Sequence, residues 1–161
     1  MKKFFLVALT AFVLALVATA YMAFTKPPFS PTYYADTNVQ CLPRGHRDLA
    51  IAWRMQLSIF VDGVAEALPQ NIGNTIPCTT ELHTHEAGDL VHAEFYTKKR
   101  STELTVNDFF AVWGVSPERE GYALEIKIGD QPVDSIDHVT IKNKQAVVLT
   151  YTAIATSTKL E

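Results

Sequence analysis

The sequence predicts an α+β protein: an N-terminal transmembrane or signal helix, then a small, mostly antiparallel β domain carrying one helix. Three observations predict it. An uncharged apolar run fills residues 4–24, period-two alternation dominates the rest, and one short stretch, Thr105 to Gly114, has helical spacing instead. Strands, then one helix, then strands again describe an α+β order rather than repeated βαβ units.

Residues 1–24 are read as a signal-anchor or transmembrane helix. Lys2 and Lys3 precede the run Phe4 to Phe24, which has no charged residue. At a rise of ~1.5 Å per residue, such a helix just crosses a hydrocarbon core of about 30 Å. The leading lysines place the N-terminus in the cytoplasm and the rest of the chain on the extracytoplasmic side. The small residues Ala18-Thr19-Ala20 also fit a cleavage site, after which the protein is secreted. The apolar run continues through Tyr21, Met22, Ala23 and Phe24, which favours a retained single-pass anchor in the cell membrane. The lipid bilayer is thus the first expected partner, through residues 4–24.

Residues 25–40 are read as a linker, because Pro27, Pro28 and Pro31 favour an extended spacer. Residues 41–161 then make one domain of ordinary size. After Lys26 the chain holds 11 of the 14 Lys and Arg residues and all 17 Asp and Glu residues, a net charge of −6. That balance excludes nucleic acid as a partner, since a basic footprint is missing. The two cysteines, Cys41 and Cys78, suit a disulfide in an oxidising compartment; two separate buried thiols are the alternative.

Within the domain, Met55 to Val61 and Val64 to Leu68 read as strands around an Asp62-Gly63 hairpin turn. Glu81 to His85 and Leu90 to Tyr96 form a second hairpin around Glu86 to Asp89, where Gly88 supplies conformational freedom. The helix opens at Thr105, with Asp108 in its first turn, and closes at Gly114 before Pro117. Phe109, Val112 and Trp113 share one face of it. Tyr122 to Ile128 is a strand ending in the turn Gly129-Asp130. Val139 to Lys142 and Ala146 to Thr152 read as two more, joined at Asn143-Lys144, and the tail from Ala153 is expected to fray.

The chemistry concentrates in the second hairpin. Three of the five histidines fall between Glu81 and Glu94. Side chains alternate along a strand, so His83 and His85 share a face; a turn at Glu86 to Asp89 sets His83 opposite His92. His83, His85 and His92 are therefore expected to converge as metal ligands, with Glu94 orienting one imidazole from behind. Three imidazoles and a carboxylate suit copper or zinc. The competing readings are a hydrogen-bonded structural cluster and direct acid–base chemistry. His46 and His138 are far away in sequence and are read as surface residues. No phosphate loop, serine elbow or Cys-x-x-Cys occurs, and no catalytic or organic cofactor-binding residue is assigned.

At this hairpin the chain resembles a group of exported prokaryotic proteins of unknown activity with the patterns LHTHD…IHxE and TLGxFFxxWG. The matching residues are Leu82-His83-Thr84-His85-Glu86, Val91-His92-Ala93-Glu94 and Leu104 to Gly114, with Ile59 to Gly63 and Leu68 to Gly73 upstream. The group's strand before the first turn carries an HxHxHL arrangement. Here it reads Ala52-Trp53-Arg54-Met55-Gln56-Leu57, without histidine.

Two functions follow from these residues. The first is a membrane-anchored extracytoplasmic protein with a histidine site for copper or zinc. The second is a non-catalytic accessory subunit that binds other subunits of a membrane complex. An enzyme ranks third, because no substrate or complete catalytic set can be named.

Overall fold

The computed structural model describes residues 32–155. The apolar segment at 4–24, the first part of the proline-rich linker and residues 156–161 lie outside them. Among the described residues no helix is long and apolar enough to cross a membrane.

The domain is a mixed β-sheet with one α-helix on one face. Its strands are β1 (Ile51–Val61), β2 (Val64–Glu66), β3 (Leu82–His83), β4 (Leu90–Phe95), β5 (Tyr122–Ile128), β6 (Gln131–Val133) and β7 (Ala146–Ala153). The helix, α1, is Val106–Trp113. The spatial order is β3-β4-β1-β7-β5-β6, and β2 pairs with the far end of β1. Most pairings are antiparallel, as the turn signals predict. One pairing is parallel: β1 and β7, with Leu57 opposite Val147 and Ile59 opposite Leu149. Both are central strands, and their apolar residues Leu57, Ile59, Val147 and Leu149 are fully or almost fully buried.

β1 alternates strictly. Met55, Leu57 and Ile59 point into the core, while Ala52, Arg54 and Gln56 are exposed on the other face. Phe109, Phe110 and Val112 of α1 cover the core face together with Leu82, Phe95 and Tyr151. The helix ends as its sequence requires. Thr105 and Asp108 form a capping box, and Gly114 takes the left-handed conformation at φ 78°.

Two elements differ from the sequence reading. Val139 to Lys142 is no sheet strand. Val139 and Ile141 are buried and alternate as a strand would, but their backbone pairs with the lead-in to α1. The Val106 N–H donates to the Val139 carbonyl at 2.9 Å, and the Ile141 N–H to the Leu104 carbonyl at 3.1 Å. The added strand is β6, hidden in sequence by Pro132. A proline is tolerated there because β6 is an edge strand.

The folded unit also reaches back into the stretch read as linker. Val39 is fully buried, and the Gln40 backbone pairs with Tyr33. Arg100 secures this segment: its Nε lies 3.0 Å from the Glu81 carboxylate, and its Nη2 donates to the Asn38 carbonyl. Cys41 and Cys78 form a disulfide across a separation of 37 residues, as expected.

Candidate metal centre

The histidines stand on the face of the sheet opposite α1. β3 pairs with β4 so that His83 lies opposite His92, the predicted register. Leu82 and Ala93, the neighbouring pair, point into the core. His83 and His92 therefore point away from it, and Glu94 follows on the same face. Such a face would ordinarily be wet, yet His83 is fully buried and Glu94 is 7% exposed. The cover is the loop after Cys41. Tyr96 holds that loop down: its hydroxyl donates to the Gly45 carbonyl at 3.0 Å and accepts the Arg44 N–H at 2.9 Å.

That loop brings in His46, which is exposed as the sequence reading expected but also reaches the cluster, a role that reading did not assign to it. The His46 ring centroid lies 5.1 Å from that of His83 and 5.0 Å from that of His85. His83 and His85 are 4.8 Å apart, His85 and His92 4.5 Å, and His83 and His92 5.5 Å. Four imidazoles thus form one cluster. Its usable signal in the sequence is the pair of cysteines: His46 and His83 each fall five residues after one of them. A disulfide that joins the cysteines carries both histidines to the same place. His138 stays outside, exposed at the end of the 3-10 turn Ile136–His138.

The nitrogens are oriented. The His83 Nδ1 lies 2.8 Å from the Thr80 carbonyl, which can only accept, so Nδ1 carries the proton and Nε2 presents a lone pair. Glu94 Oε2 lies 2.6 Å from His46 Nδ1 and fixes that ring in the same sense. A carboxylate or carbonyl behind an imidazole is the usual outer support of a metal-binding histidine. The Nε2 atoms of His83 and His85 are 3.3 Å apart. Two ligands on a tetrahedral ion at about 2.0–2.1 Å are separated by roughly 3.3–3.4 Å. Two groups have ligand atoms within 4.8 Å of one another: His46, His83 and His85, and His83, His92 and Glu94. His83 belongs to both.

Electrostatics favour the unprotonated rings a metal needs. Burial lowers the His83 pKa to about 4, and neighbouring His85 and His46 push the same way. His92 is also lowered, first by burial and then by His85 and Arg54. The rings also hydrogen-bond to one another and to their neighbours. One assignment of protons runs from the Asn74 amide to His85 Nδ1 at 3.5 Å, from His85 Nε2 to His83, and from His83 to Thr80. Among the described residues no buried side-chain polar atom lacks a partner. A metal would replace the His83–His85 hydrogen bond and leave the outer supports in place.

Glu81 does not join the centre, because its carboxylate accepts from the Gln40 N–H and from Arg100. The exposed positions of β1 nearest the cluster are Ala52, Arg54 and Gln56. Arg54 lies opposite His92 and Ala52 opposite Glu94, so they share the face of the cluster. Comparison of the chain with family models, curated proteins and solved structures found no match.

Proposed function

We propose that this protein is a membrane-anchored, extracytoplasmic binder of one zinc or copper ion, held by His46, His83 and His85, with Glu94 supporting His46 and His92 beside them. The observation that carries the reading is the 3.3 Å spacing of two imidazole nitrogens, one of which is deprotonated and aimed by a backbone carbonyl. Three nitrogen donors backed by a carboxylate suit zinc or copper, whereas magnesium and calcium prefer oxygen. The apolar run at 4–24 behind two lysines supports the anchor, and the disulfide fits an oxidising compartment. The likeness to the LHTHD…IHxE group supports kinship with those exported proteins, because the histidines of those two patterns fall in this cluster, although the strand that carries HxHxHL in the group has no histidine here. The role is metal handling rather than turnover.

Metal analysis of the purified full chain tests this. One zinc or copper per chain is expected after loading and desalting, and none in the His83→Ala/His85→Ala variant. Equal metal content in both would refute the reading.

A further inference from the structure

Building on the metal reading, we propose that the centre also takes a small oxyanion, a carboxylate or a phosphate, held between the bound cation and Arg54. Three observations converge on it. Arg54 lies directly opposite His92 in the β1–β4 pairing, so the guanidinium stem and the imidazole leave the sheet on the same face. A depression of about 270 Å³ opens there, lined by Ala52, Trp53, Arg54, His92, Glu94 and Asn143. Among the described residues no carboxylate forms an ion pair with the Arg54 guanidinium.

A permanently charged guanidinium beside a cation site needs an explanation. Glu94, which lines the same depression, is committed to His46 at 2.6 Å. Histidines bind a metal as neutral rings, and three of them leave a position open on the ion. A dication, one guanidinium and one carboxylate then leave a net charge of about +2 at a half-enclosed surface. An anion from solution relieves that excess. Arg is the residue suited to it, since its planar fork matches a carboxylate or phosphate with two parallel hydrogen bonds. The backbone holds the strand position firmly: the Arg54 N–H donates to Asn143 Oδ1 at 3.3 Å, and its carbonyl accepts the Lys144 N–H at 2.7 Å. The depression falls below the roughly 300 Å³ at which drug-sized ligands begin, so its occupant is small.

The test uses the full chain in a non-ionic detergent, loaded with zinc and desalted, titrated calorimetrically with inorganic phosphate and separately with acetate. Zinc-loaded wild type should bind at least one of them, at least tenfold tighter than metal-free protein does. Arg54→Ala should weaken that binding at least tenfold and Arg54→Lys less, with zinc content equal in all three. Anion affinity unchanged in Arg54→Ala, or no binding of either anion to zinc-loaded protein, overturns this inference alone. Loss of zinc from Arg54→Ala also overturns it, because removing a neighbouring cation must not weaken metal binding. A wild-type chain that takes up no zinc overturns the metal reading and this inference together.

Discussion

At the scale of single residues, His83 joins stability to the site. Its folded pKa of about 4 lies below an unfolded value near 6.5, so the native state favours the neutral ring. Its stabilising contribution is therefore complete above pH ~6.5 and is lost as pH falls toward 4, to a total of about 3 kcal/mol. Glu66 is held below the usual carboxylate range by its hydrogen bond to Arg119, so its own loss begins only in more acidic solution. Urea unfolding of metal-free protein should show the midpoint falling between pH 6.5 and 5. His83→Asn keeps a donor for Thr80 but cannot titrate, and it should flatten that slope; an equal slope in both proteins would sink the argument. Glu94 acts one bond further out. Glu94→Gln should weaken zinc binding about 10- to 100-fold, as loss of an outer support does, while leaving stoichiometry unchanged. A competition titration against a chelator of known affinity measures the difference.

At the scale of elements, the site depends on how the chain around Cys41 and Cys78 is held against β3. Gly73 lies in that region at φ 63°. A Cβ there would come within 2.3 Å of Thr80 Oγ1, 2.6 Å of the Leu82 carbonyl and 2.7 Å of Val112 Cγ1. Gly73→Ala should thus cost about 2–4 kcal/mol by urea unfolding, through overpacking and left-handed strain, and a loss under 1 kcal/mol would show that the turn can move. The disulfide does the second part of the work. A closed loop of 37 residues removes about 3–4 kcal/mol of unfolded-state entropy. Cys41→Ser/Cys78→Ser should lose stability on that order and bind zinc more weakly, because the His46 loop loses its covalent anchor; unchanged zinc affinity would show that Tyr96 alone holds the loop. These elements also mark what was legible in the sequence. α1 and its caps, the two hairpins and the His83–His92 register were readable, because turn residues and alternation fix them locally. The parallel β1–β7 pairing and the role of His46 were not, because both depend on contacts between distant segments. Val139 to Lys142 misled for a definite reason: burial alternates wherever an extended segment lies on a core, whichever partner takes its backbone hydrogen bonds.

At the scale of the whole molecule, the sheet separates two tasks. One face packs Phe109, Phe110 and Tyr151 into a core that needs no ion. The other carries the histidine cluster apart from that core, so the domain should fold without metal and gain stability by binding it. That separates it from domains whose fold exists only in the loaded state. Linkage sets the gain. A ligand at a hundred times its dissociation constant, with no affinity for the unfolded chain, adds about 2.7 kcal/mol. For a domain of this size that corresponds to a rise of roughly 5–10 °C in the midpoint. Thermal unfolding of the full chain in detergent should therefore be cooperative in a chelator and shift upward by that amount with zinc. His83→Ala/His85→Ala should unfold at a midpoint that zinc does not move. A wild-type domain that is unfolded in the chelator would mean that the metal forms part of the core, and that the histidine face is as necessary to the fold as the face beneath α1.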